Sequence, residues 1–302
     1  MVHWLRGAQG RGSIVDAMTE ISAAASGEFL IGGDVRVHRL GYGTMRLVGD
    51  GAWGEPEDAA AAKQVLRRAV ELGINLIDTA DAYGPEIAER LICEALYPYP
   101  AGLVIATKGG ITRQGPAKTE YVGRAGYLIQ CVEMSLRRLK LERIELYQLH
   151  RIDPRTPLEE SLGALKRMQE EGKIRHIGLS EVTVEQIEEA EKIVPIVTVQ
   201  NRYSLTDRRH EETLKWCEGR GIGFMPWYPM AGGKLMKAEH PDSSVAAQMA
   251  KRHGLSVAQI ALAWLLHCSP VMLPIPGTSN AAHLEENVKA GVVRITDREW
   301  IY

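Results

Sequence analysis

The chain has 302 residues, of which 45% are hydrophobic and 25% charged, and its 36 basic residues nearly balance 38 acidic ones for a net charge of −2. Those proportions exclude disorder as the main state, the near-balance argues against a basic nucleic-acid footprint, and no apolar run reaches the roughly 20 residues of a membrane span. The length suits either two average domains or one (β/α)8 barrel of about 250 residues. Cys93, Cys131, Cys217 and Cys268 form no C-x-x-C pair, and the histidines form no H-E-x-x-H or H-x-H cluster. The expectation is therefore a cytoplasmic protein with core thiols and no metal site.

In chain order, residues 1–17 are glycine-dotted and little apolar, and no hydrophobic core of a signal peptide follows Arg6 and Arg11. Residues 1–27 are expected to be a leader outside the fold, with 28–302 forming one domain. The segment FLIGGDVRVHRLGYG carries a Gly-Gly-Asp turn between alternating apolar residues, the signature of a hairpin. Eight short β-branched or apolar runs follow: GYGTM (41–45), INLIDTA (74–80), LVIATK (103–108), IELYQLH (144–150), IRHIGLS (174–180), IVTVQ (196–200), IGFMP (222–226) and VMLPIP (271–276). Between them lie segments with i, i+3, i+4 apolar spacing, among them PEDAAAAKQVLRRAVELG, GYLIQCVEMSLRRLK and SVAQIALAWLLH. Strands separated by helices must be parallel, and strands apolar throughout must be covered on both faces. Eight such units predict an α/β fold, a (β/α)8 TIM barrel with the N-terminal β-hairpin closing its floor. An open doubly wound sheet is the alternative, disfavoured because no G-x-G-x-x-G follows the first strand.

Barrel enzymes place their chemistry at the C-terminal ends of the strands. Reactive side chains gather there: Asp78 ends the strand within the second run, Tyr83 follows it, Lys108 ends the third and His150 the fourth. Each alone has a bland reading, as a turn residue, a packed ring or a structural imidazole. Together they fit one mechanism. A phenol with a pKa near 10 is a poor acid at neutral pH, and an adjacent ammonium stabilises its phenolate. Lys108 is expected to supply that charge, Asp78 to hold Lys108 ionised, and His150 to orient a carbonyl oxygen beside Tyr83. General acid catalysis next to a developing alkoxide requires a hydride donor, and no side chain donates hydride.

The strings LGYGTM, NLIDTADAYG, IATKGG, LYQLHRID, GLSEV, VQNRYS, FMPWYPM and LPIPGTSNAAHLEENV resemble the aldo-keto reductase superfamily from about residue 36 to 290. The finer likeness is to a bacterial subgroup that includes pyridoxal reductase-like proteins. The resemblance implies NADPH-dependent reduction of a small-molecule aldehyde or ketone, with NADH as a weaker cofactor and Tyr83, Lys108, Asp78 and His150 as the catalytic tetrad. It implies cofactor contacts from Gly43, Thr44, Met45, Asp78, Ser180 and Gln200. It extends them to Trp227, Tyr228, Pro229, Met230 and Gly232, and to Gly277, Thr278, Ser279, Asn280, His283, Glu286 and Asn287. The substrate pocket would be lined by Trp53, Tyr83, His150 and Arg113. No nucleic-acid or membrane partner is expected, and the oligomeric state is not legible.

Three departures from the family pattern stand out. Glu181 replaces an Asn that faces the carboxamide in many members, and an ionised carboxylate cannot donate a hydrogen bond. Gly277 and His283 replace cations that face the 2′-phosphate, which softens the NADPH preference. The chain also ends at Tyr302, without the long tail that covers the pocket in many members. Two rival readings are a Schiff-base lyase, which needs a neutral lysine, and an NADPH-sensing regulatory subunit with little turnover.

Overall fold

The computed structural model describes residues 21–230 and 241–296. Two antiparallel strands, β1 (Glu28–Ile31) and β2 (Val35–His38), come first. A seven-stranded parallel sheet follows, built from β3 (Tyr42–Gly43), β4 (Leu76–Asp78), β5 (Val104–Gly109), β8 (Ile144–Leu149), β9 (Ile174–Ser180), β10 (Ile196–Gln200) and β11 (Gly223–Phe224). Each strand pairs with the next in that order, so the sheet grows in sequence order. A small antiparallel hairpin, β6 (Ile111–Gly115) and β7 (Lys118–Tyr121), rises from the end of β5. The sequence carries no strand signal there, because Thr112-Arg113-Gln114 and Lys118-Thr119-Glu120 show no apolar alternation.

The helices are α1 (Ala59–Glu71), α2 (Ile87–Leu96), α3 (Ala125–Leu139), α4 (Leu158–Glu170), α5 (Val184–Glu191), α6 (Glu211–Arg220), α7 (Pro241–His253), α8 (Val257–Cys268) and α9 (Ala281–Lys289). Local chemistry sets their starts. Asp58 accepts from the Ala61 N–H, and Thr183 with Gln186 and Ser256 with Gln259 form reciprocal capping boxes. The apolar faces of α1, α3, α4 and α8 then bury against strands that are covered on both sides, as all six residues of β5 show.

The eighth run, VMLPIP, forms no strand, yet it joins the two edges of the sheet. Phe224 N donates to Val271 O, Leu273 N to Phe224 O, Gly41 N to Pro274 O and Gly43 N to Pro276 O. Pro274 and Pro276 have no N–H, so they accept without completing a ladder. That is why a closed ring registers as seven strands and one bridge, Phe224 to Met272.

The leader boundary needs correction. Residues 21–27 pack on the barrel: Ser22 caps a 3-10 turn at Ala23–Ser26, the Ala23 N–H donates to Leu72 O at 2.8 Å, and Ala23 is fully buried. Small alanines give no periodic signal, which hides the turn in the sequence. Residues 1–20 lie outside the described residues. Among the described residues no helix is long and apolar enough to cross a membrane.

Two glycines hold the seam at close range. A Cβ on Gly43 would stand 2.7 Å from the Ile275 carbonyl oxygen, and one on Gly277 would stand 2.7 Å from the Gly43 carbonyl oxygen. Gly43→Ala should therefore cost roughly 1–3 kcal/mol, the usual range for overpacking against atoms that cannot yield. Urea unfolding checks this, and an unchanged midpoint would show that the seam is slack.

Candidate active site

The parallel register brings the polar side chains into one layer. Gly43 pairs with Asp78, Asp78 with Ala106, Lys108 with Gln148, and Ser180 with Gln200. Alternation along each strand then turns Asp78, Lys108, Gln148 and Gln200 inward together. Lys108 is fully buried and Asp78 nearly so. The Lys108 Nζ donates to Asp78 Oδ2 at 2.7 Å, to the Thr79 carbonyl at 2.8 Å and to the Tyr83 hydroxyl at 3.3 Å. Asp78 Oδ1 accepts from Gln200 Nε2 at 2.8 Å and Gln148 Nε2 at 3.3 Å. Every ammonium proton and both carboxylate oxygens are thus engaged, as a buried ion pair requires.

The electrostatics follow from burial. Desolvation works against the charge on Lys108, but Asp78 and Tyr83 outweigh it and its pKa is raised. Burial raises the Tyr83 pKa, and Lys108 only limits the rise. The ammonium favours the phenolate as expected, but desolvation outweighs it, so Tyr83 keeps its proton at neutral pH. His150 stands edge-on to Tyr83, with ring centroids 5.9 Å apart. Burial, then Lys108, Arg151 and Arg113, push its pKa well below the ordinary imidazole value, so the ring is neutral. Its Nδ1 is buried without a partner.

These groups face a cavity of about 490 Å³, a size typical of small-molecule sites. Of the residues named from sequence, Gly43, Met45, Asp78, Tyr83, Arg113, His150, Ser180, Gln200, Trp227, Tyr228, Pro229 and Met230 line it. So do Gly277, Thr278, His283, Glu286 and Asn287. Lys108 sits behind the lining, and Thr44 is buried with its N–H and hydroxyl both donating to Asp78 O. Ser279 and Asn280 are exposed outside the lining, although the Asn280 side chain caps α9 through the Ala282 and His283 N–H groups. Trp53 is not brought into the lining. Its backbone is tied to Gly49 and Gly84, and the residue is 38% exposed. Gly232 lies outside the described residues.

A nicotinamide dinucleotide fits what these residues offer. Asn287 Nδ2 is buried, unpartnered and in a side chain that lines the cavity. Gly43 and Gly277 bring two backbones together where any side chain would intrude. Glu181 is engaged elsewhere, since its Oε1 accepts from the Trp227 indole N–H at 2.6 Å and from Arg202 N at 2.7 Å. The carboxylate that cannot donate to a carboxamide holds the indole instead.

Sequence reasoning misses Arg46, Arg151 and Gln148. Arg46 lines the cavity, and its Cγ lies 3.5 Å from where a Cβ on Gly277 would stand. Arg151 donates from Nη1 to His150 O and to Ser180 Oγ. Gln148 was findable, because it lies two residues before His150 on the same strand face.

Comparison with known proteins gives the family. The model of the Aldo/keto reductase family matches residues 39–302. The chain belongs to the aldo/keto reductase family. It is an NAD(P)H-dependent oxidoreductase of TIM-barrel type. It is 49% identical over 280 residues to an uncharacterized oxidoreductase of Schizosaccharomyces pombe, covering 93% of this chain and 90% of that one. It is 40% identical over 271 residues to pyridoxine 4-dehydrogenase of Escherichia coli, covering 88% and 93%. A solved aldo/keto reductase from Klebsiella pneumoniae in complex with NADP and acetate superposes with a TM-score of 0.75 at 26% identity, over 90% of this chain and 92% of that one.

Close to Lys108 lies a second buried carboxylate, Asp81. The Asp81 N–H donates to Lys108 O, its Oδ1 has no hydrogen-bond partner, and burial, with Glu89 next, pushes its carboxyl up to about 7 from the ordinary 3.8. Between about pH 4 and pH 7 the folded protein holds a proton there that the unfolded chain has released. Stability from this group therefore falls as pH rises across that window. Asp81→Asn removes the slope, so its melting temperature relative to wild type should be more favourable at pH 8 than at pH 5. An equal difference at both pH values would remove Asp81 as a titrating group.

Proposed function

We propose that this aldo/keto reductase reduces an aldehyde or ketone to the alcohol with NADPH, with Tyr83 as the proton donor. The carrying observation is the single ammonium of Lys108 bonded at once to Asp78 and to the Tyr83 hydroxyl at the cavity wall. When bound, the nicotinamide supplies the hydride that the carbonyl carbon takes up, leaving NADP+. Tyr83 gives its proton to the carbonyl oxygen, and the phenolate left behind is stabilised by the Lys108 charge in a dry setting. The raised phenol pKa suits this order, since Tyr83 keeps its proton until a stronger base, the alkoxide, develops. Neutral His150, with Nδ1 unpartnered, can carry its proton on Nε2 and orient the carbonyl oxygen. A charged, buried Lys108 is the opposite of what a Schiff-base lyase needs.

Trp227, fixed by Glu181, would flank the nicotinamide, with Ser180 and the free part of the Gln200 amide at its carboxamide. The N-terminus of α9 with Thr278 and Asn287 would hold the adenosine end. Arg46 would supply the cation that Gly277 and His283 do not. The β1–β2 hairpin reads as the barrel floor: Ile31, Val35 and Val37 are buried in one cluster with Leu76, Val104, Leu146, Met225 and Leu273.

Tyr83→Phe should lower turnover at least about tenfold while NADPH still binds by fluorescence titration, since general acid catalysis contributes roughly 10²–10⁴-fold. Lys108→Met should be as damaging and Asp78→Asn less so. Near-normal carbonyl reduction by Tyr83→Phe or Lys108→Met would overturn the assignment. For the cofactor, Arg46→Ala should weaken NADPH binding more than NADH binding, and an equal loss for both would show that Arg46 does not read the 2′-phosphate.

A further inference from the structure

The tetrad accounts for Asp78, Tyr83, Lys108 and His150 but leaves two guanidinium groups at the same end of the cavity without a role. Arg113, on β6, donates from Nε to Ala82 O at 2.6 Å and from Nη1 to Gly51 O at 3.1 Å. Arg151 is anchored from Nη1 alone, on His150 O and Ser180 Oγ. All four anchors are neutral acceptors. Among the described residues no carboxylate forms an ion pair with either arginine. Both are half-buried, and both line the cavity. The carboxylates in the lining do not compensate them: Asp78 is spent on Lys108 and the two glutamines, and Glu286 belongs to α9, beside Asn287.

A half-buried guanidinium held by carbonyls is costly to leave without a counter-charge. The anchors also fix the side chain. With Nε and one Nη1 proton engaged, the Nη2 edge of Arg113 remains to donate, presenting a rigid planar fork that suits an anionic oxygen pair. The cofactor's phosphates do not explain Arg113. Its anchors lie on the turn at 50–52 and on the segment that leads to Tyr83, whereas the candidate nucleotide contacts lie at Arg46, Gly277, Thr278 and α9. The cavity it lines also carries apolar and aromatic side chains, among them Ile111, Tyr121, Trp227 and Tyr228.

We propose that Arg113, assisted by Arg151, selects carbonyl substrates that carry an anionic oxygen group, a carboxylate or a phosphate, beside the carbonyl to be reduced. This deepens the carbonyl-reductase reading and rests on it. The anion sits against the Arg113 fork while its carbonyl reaches Tyr83 and His150, so the charge on the substrate sets its orientation. Charge-assisted hydrogen bonds to one fork imply about 10- to 100-fold in affinity.

The test compares 4-formylbenzoate and 4-formylphenyl phosphate with the neutral 4-(hydroxymethyl)benzaldehyde, in wild type, Arg113→Gln and Arg113→Lys. The wild type should prefer at least one anionic aldehyde in kcat/KM, mainly through KM. That preference should shrink about tenfold or more in Arg113→Gln and return in part in Arg113→Lys. The better of the two anionic aldehydes tells carboxylate from phosphate. A second readout needs no turnover: calorimetric binding of 4-(hydroxymethyl)benzoate and of 1,4-benzenedimethanol to the NADP+-loaded protein. Arg113-dependent preference for the benzoate, even in a protein that reduced no aldehyde, would support the anion site and overturn the reductase reading alone. Reduction of all three aldehydes with a preference that Arg113→Gln leaves unchanged would overturn the anion site and leave the reductase reading standing. Parallel loss for charged and neutral ligands in both readouts would overturn it too, by showing that Arg113 only braces Ala82 and Gly51.

Discussion

The buried pair of Lys108 and Asp78 is the constraint around which the barrel mouth is arranged. Two opposite charges lie in a place with almost no access to water, and neither tolerates a missing partner. Their demands recruit the neighbours. Three acceptors are needed around one ammonium, so the Thr79 carbonyl and the Tyr83 hydroxyl join Asp78. The second carboxylate oxygen takes two amides, from β8 and β10. Thr44 fastens the Asp78 backbone to β3. Five strands thereby converge on one charge pair, and the tyrosine is placed as a consequence of satisfying the lysine.

The same dryness divides the labour among the titratable groups. Burial keeps Tyr83 and Asp81 protonated towards higher pH and keeps His150 neutral, while Lys108 stays charged because its counter-ion is in contact. A fixed positive charge thus stands beside the Tyr83 phenol. The cations left over are spread along the cavity, Arg46 at the Gly277 end and Arg113 and Arg151 near the tyrosine.

The barrel and the gathering of Asp78, Tyr83, Lys108 and His150 were legible because they depend on short-range rules. Strand and helix periods differ, Asp78 and Lys108 stand at the ends of apolar runs, and parallel register converts those positions into proximity. The β6–β7 hairpin was not legible, because polar residues on both faces leave no alternation to read. The seam at 271–276 looked like a strand by composition, but its prolines remove the donors that would make it one. The roles of Glu181 and Arg46 depend on which side chain meets which across the ring. Glu181 looked like a defective donor until Trp227 was found on it, and Arg46 gained meaning only from lying beside Gly277.

The proline-bearing seam also bears on how the ring is completed during synthesis. After β3, each of the other six paired strands meets its predecessor in the sheet, so the sheet can grow in the order in which the ribosome delivers it. The last junction is different: Gly41 and Gly43 must wait for Pro274 and Pro276, which are translated hundreds of residues later. Until then β3 is an open edge with unpaired N–H groups, the kind of surface that recruits strands from other chains. Its brevity, two residues, and its glycine make it a poor template for such pairing. The late closing contact has the longest sequence separation in the ring, the kind of non-local pairing that is slow to form.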